Sequence, residues 1–118
     1  MATPVETLRR SADFEALQRS GTRKAHPLLV VRLAPNGLPR TRVGFSTGRR
    51  LGGAVVRNRV RRRLREIVRH LAPRIQPGWD VLIQARPGST QASYAELREA
   101  VERLFRRGGI LHQEEGAP

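Results

Sequence analysis

The chain has 118 residues, with 23 Lys and Arg against 10 Asp and Glu, a formal net charge of +13, three histidines and no cysteine. That length allows one domain with a modest core, and the missing cysteines exclude a disulfide framework, a thiol nucleophile and a thiolate metal site. The N-terminus lacks the apolar run of a signal peptide and no stretch reaches the length of a membrane span, so a soluble, cytoplasmic protein with no membrane partner is expected.

Residues 1–7 read as a flexible N-terminus ahead of one domain over 8–108. Ser11 can cap a short helix from Ala12 to Ser20, with Phe14 and Leu17 inward and Gly21 as a stop. Leu28 to Leu33 has the composition of a strand, and Pro35-Asn-Gly37 is a turn signal leading to a second strand at about Arg40 to Ser46; the two are expected to pair antiparallel. Thr47 to Gly53 is a glycine-rich basic loop, and Pro73 closes the long helix that follows it. A third strand should run from Trp79 to Arg86. Ser93 and Glu96 form a capping-box signature for a last helix with Leu97, Val101, Leu104 and Phe105 inward. Residues 109–118 read as a flexible tail. The fold class is α+β, a small, mostly antiparallel sheet covered by helices in a two-layer sandwich.

The long helix carries the chain's charge. Residues 40 to 74 hold twelve Arg and one Glu, a net of +11, so the protein should have one basic face rather than a diffuse charge. Val56, Val60, Leu64, Ile67, Val68 and Leu71 recur at the spacing of one helical face. At roughly 100° per residue from Val60, Asn58, Arg61, Arg62, Arg65 and Arg69 fall opposite that stripe in a single outward row. Arg59, Arg63, Glu66 and His70 lie on the other flank, and Arg57 sits near the apolar edge. A guanidinium binds phosphate bidentately and stacks on bases, which suits such a row to nucleic acid.

Protein-based hydrolysis would need a general base and acid, a carboxylate cluster or an activated nucleophile. His26, His70 and His112 are far apart, and no HExxH or paired-carboxylate motif occurs. Glu66 and His70, one turn apart, read as a surface pair supporting the helix. Asp13 and Asp80 read as cap or ion-pair partners. No Gly-Lys-Ser/Thr follows the glycine-rich loop, although its backbone can still cradle phosphates. The residues by themselves describe an RNA- or DNA-binding module without a catalytic centre, a small-molecule substrate or a metal site of its own.

Arg57-Asn-Arg-Val-Arg-Arg62, the upstream Arg42-Val-Gly-Phe-Ser46 and Arg49-Arg50-Leu-Gly-Gly-Ala-Val55, and Ser11-Ala-Asp-Phe14 together resemble the protein subunit of bacterial ribonuclease P, over about Leu8 to Arg107. The resemblance implies a ribosomal-protein-like βαβ unit with a left-handed crossover, where parallel crossovers are ordinarily right-handed. It further implies that the catalytic centre belongs to a partner RNA with its Mg²⁺ ions, and that the protein assists removal of the 5′ leader from precursor tRNA. By position, Arg49, Arg50, Arg57, Asn58, Arg59, Arg61, Arg62, Arg65 and Arg69 would meet RNA. Phe14, Gln18, Arg32, Arg57, Asn58, Arg61 and Arg65 would line a leader cleft. Gln18 and Arg32 stand where the family often has aromatics, so the leader is expected to be held more by charge than by stacking. The rival class is a ribosomal or ribosome-associated RNA-binding protein without cleavage activity.

Overall fold

The computed structural model describes residues 5–112. In chain order these form β1 (Val5–Thr7), α1 (Ser11–Ser20), β2 (Thr22–Ala25), β3 (Leu29–Pro35), β4 (Thr41–Ser46), α2 (Ala54–Leu71), β5 (Trp79–Ala85) and α3 (Tyr94–Arg107), with 3-10 turns at Arg49–Leu51, Ala72–Arg74 and Pro87–Thr90. One five-stranded sheet has the order β1-β4-β5-β3-β2. It is mixed: β2–β3 and β3–β5 are antiparallel, whereas β1–β4 and β4–β5 are parallel. The β3 and β4 strands do not pair with each other as expected, because β5 lies between them. The turn residues are spent locally: Asn36 accepts from the Leu38 amide at 2.8 Å and donates to the Arg40 carbonyl at 3.1 Å. This bends the chain without making a hairpin, and α2 supplies the crossover between parallel β4 and β5.

Alternation along the strands divides the sheet into two faces. Leu29, Val31, Leu33, Val43, Val81 and Ile83 meet the inward residues of α2 and α3 in the main core. Leu82 and Ala34 point the other way, onto Leu8, Phe14 and Leu17, where α1 crosses the sheet. Val60, Leu64, Ile67, Val68 and Leu71 of α2 are all buried. Their removal from water contributes on the order of 10 kcal/mol before the opposing entropy of ordering the chain. The inward residues expected for α3 are buried too, and its capping box is present in full.

Three expectations need correction at the chain ends. The helix α1 begins at Ser11, with Arg10 as N-cap and no side-chain cap, so Ser11 lies inside the helix. Val5–Thr7 is an edge strand paired with Thr41–Val43, so the ordered domain starts before residue 8. After α3, Ile110 is fully buried, the Gln76 amide donates to its carbonyl at 2.7 Å, and Leu111 bridges to Ile75, so the domain also extends past residue 108. The remainder of the expected flexible ends, residues 1–4 and 113–118, lies outside the described residues. No helix among the described residues is long and apolar enough to cross a membrane.

Candidate nucleic-acid interface

Because α2 buries its apolar stripe against the sheet, the opposite row must face outward. Asn58, Arg62, Arg65 and Arg69 are exposed, and Arg61 is half-buried. The first turn of the row is pinned to the connection between β4 and α2. Arg57 donates from Nε to the Thr47 carbonyl at 2.9 Å, and Arg61 donates to the Thr47 hydroxyl at 2.6 Å and to Asn58 Oδ1 at 3.0 Å. Thr47 is only 4% exposed, so Arg61 satisfies a buried hydroxyl as well as offering charge outward. The Arg65 guanidinium carbon lies 6.0 Å from the centre of the Phe45 ring, at the outer reach of a cation–π contact.

The remaining arginines separate by partner. Arg69 donates to both Glu66 oxygens at 2.9 Å, and His70 Nε2 lies 2.9 Å from Glu66 Oε1, the helix-supporting pair expected from the spacing. Hydrogen bonds from His70 and Arg69 hold the Glu66 carboxyl below its usual range. Arg59 and Arg63 turn to the other flank, donating to the Thr90 and Ala92 carbonyls at 3.3 and 3.1 Å. Arg59 is therefore not brought into the row. Among the described residues, Arg49, Arg50 and Arg62 have neither a side-chain hydrogen bond nor an ion pair.

The other half of the site is the sheet face crossed by α1. Phe14 lies directly on Gly44, where an added Cβ would sit 2.3 Å from Phe14 Cε1, so only glycine lets the ring reach the sheet. Pairing sets Gly44, Leu82 and Arg32 in one row across three strands, and Ser46, Gln84 and Val30 in the next. Arg32 donates from Nε to Gln84 Oε1 at 3.1 Å and reaches the Gln18 carbonyl at 3.5 Å. Phe14, Gln18 and Arg32 thus come together beside α1, Gln18 through its backbone. Thr47, immediately after Ser46, links this floor to the row of α2.

Sequence reasoning missed Ser46, Gln84 and Arg86. With Arg49 and Arg50 they line a pocket of about 280 Å³ beyond the C-terminal ends of parallel β4 and β5. An arginine at a strand end before Pro-Gly was the available signal, but only the β4–β5 pairing places it beside the glycine-rich loop. On the same sheet face, Arg42 is not free for RNA: it donates to both Asp80 oxygens at 2.8 and 2.6 Å. Burial works to raise the Asp80 pKa, yet hydrogen bonds from Arg42 and Asn36 outweigh it and hold the carboxyl below its ordinary value. His26 is pushed down by burial and then by Arg103, and its Nδ1 accepts from the Leu28 amide at 3.0 Å, a structural role.

The sequence model of the Ribonuclease P family matches residues 3–109. A ribonuclease P protein component from Roseiflexus castenholzii is 42% identical over 105 residues, covering 88% of this chain and 86% of that protein. One from Symbiobacterium thermophilum is 45% identical over 103 residues, covering 86% and 89%. Among solved structures, the ribonuclease P protein from Thermotoga maritima superposes with a TM-score of 0.79 at 28% identity, covering 86% of this chain and 96% of that one. The protein from Staphylococcus aureus shares the fold with a TM-score of 0.83 at 23% identity, covering 90% and 97%. A match over nearly the whole length, joined to an arginine-faced helix beside a sheet cleft, sets aside the ribosomal alternative: the chain belongs to the ribonuclease P family as a protein subunit.

Proposed function

We propose that this subunit holds the catalytic RNA of ribonuclease P on the outward row of α2 and the single-stranded 5′ leader of precursor tRNA in the cleft between α1 and the sheet. The observation that carries the reading is the position of Thr47, which ties Arg57 and Arg61 to the end of the strand that floors the cleft. Two RNA segments held on these surfaces would be fixed relative to each other by a packed connection rather than a hinge. Arg49, Arg50, Arg62 and Arg65 supply the charge, Arg69 adds to it at the far end, and Phe14, Gln18 and Arg32 meet the leader. Arg57, Asn58 and Arg61 stand at the junction.

The protein's work in this proposal is binding and orientation, the largest contribution open to a component that positions reactants. Among the described residues no three His, Asp or Glu side chains gather to hold a metal. In this reading no chemical step is routed through a protein-bound ion, and Mg²⁺ is assigned to the RNA. The test is precursor-tRNA cleavage at low Mg²⁺ by a bacterial ribonuclease P RNA, with and without the protein, beside a protein-only control. Mature 5′ ends should form efficiently only with RNA and protein together. Cleavage by protein alone, or RNA binding without stimulation, would overturn the proposal.

A further inference from the structure

We propose that Gln84, oriented by Arg32, floors a pocket that selects a guanosine in the leader. The proposal rests on the sheet face being the leader path and deepens that reading. The Arg32 Nε–H can only donate, so its 3.1 Å contact fixes the Gln84 amide with oxygen toward Arg32. The amide nitrogen, carrying two N–H donors, is left for another partner, and no described residue accepts from it. Gln84 thus presents donors, not its acceptor, to the pocket it shares with Ser46, Arg49, Arg50 and Arg86.

Size and charge define the occupant. About 280 Å³ is at the low end of small-ligand sites and suits one base with its phosphate rather than a stack. No described acidic residue pairs with Arg49, Arg50 or Arg86, so the rim is matched to a phosphate. A floor of donors is matched to a base edge with adjacent acceptors. Guanine offers O6 and N7 side by side. Adenine sets an amine donor beside N7, and uracil sets N3–H beside O4. Cytosine, with adjacent N3 and O2, ranks second.

The test uses the reconstituted holoenzyme. A guanosine is moved one position at a time through an otherwise all-adenosine leader, and kcat/KM is read at each position. One position should favour guanosine by roughly tenfold. Gln84→Glu keeps an oxygen for Arg32 but turns a second acceptor outward, so it should abolish that preference and favour adenosine there. A flat profile, or a guanosine optimum that survives Gln84→Glu, overturns the proposal. Trimming the leader to one nucleotide separates the two readings. If the protein's contribution to kcat/KM persists, the leader path fails and this proposal with it; if it drops while the base profile is flat, only the guanosine assignment fails.

Discussion

The helices α2 and α3 pack side by side on one face of the sheet, yet they treat charge in opposite ways. The α3 helix has four arginines and three glutamates, and ion pairs join Arg98 to Glu102, Arg103 to Glu99 and Arg106 to Glu102. The α2 helix has seven arginines and one glutamate, and among the described residues only its Arg69 finds an acidic partner. Its other arginines reach backbone carbonyls, a hydroxyl or an aromatic ring, or point to solvent. The lesson is that what sets the proposed RNA-binding helix apart is arginine charge the protein leaves unneutralised, not arginine count.

Beneath their outer faces the two helices should behave alike. Leu64→Ala in α2 and Leu104→Ala in α3 remove fully buried side chains, and each should cost about 2–5 kcal/mol in chemical denaturation. A cost confined to one helix would break the comparison at its base. The contrast between paired and unpaired arginine also extends to the sheet, where Arg42 is neutralised by Asp80. Asp80→Asn should cost about 2 kcal/mol near neutral pH, as a charge-assisted hydrogen-bond pair is lost. Since the folded-state pKa of Asp80 is depressed, its stabilisation is complete above the unfolded value of about 4 and disappears as pH falls through the lower folded value. Denaturation of wild type and Asp80→Asn should therefore converge in strong acid.

Smaller effects discriminate within α2 and between the helices. Arg61→Ala should weaken RNA binding by about 1 kcal/mol and also lower stability by about 1 kcal/mol, because the buried Thr47 hydroxyl loses its donor. Arg62→Ala should cause a binding loss of about 1 kcal/mol with unchanged stability and a shallower salt dependence. Arg103→Ala, the paired counterpart on α3, should move either quantity by less than about 0.5 kcal/mol. Filter binding across a salt series, beside thermal melts, reads all three.

How much of this was visible in the sequence depends on the reach of each interaction. The stripe of α2 and the capping box of α3 are set by neighbours three and four residues apart, so both helices and the outward row could be read directly. The antiparallel β3–β4 hairpin expected from Pro35-Asn-Gly37 does not form, because that turn carries hairpin chemistry while the pairing strand, β5, starts more than forty residues later. The short β1 and β2 were invisible because three or four residues hold too little alternation. For the proposed site, Phe14, Gln18 and Arg32 follow from the resemblance, but Gln84 is tied to them by Arg32, a partner 52 residues away. Arg86 likewise acquires meaning only when β4 and β5 lie side by side.

The central place of β5 also governs the order of assembly. As the chain leaves the ribosome, β3 and β4 are complete before the strand that must lie between them exists, and α2 emerges before the core that will cover its apolar stripe is finished. The β1–β4 and β3–β2 halves of the sheet can pair on their own but cannot be joined until β5 emerges, which predicts slow folding dominated by distant contacts. During that interval a strongly cationic helix is exposed beside the translation machinery's own RNA. An anion that engages its arginines would relieve their mutual repulsion while the sheet waits for its middle strand, making a bound polyanion a participant in the protein's folding.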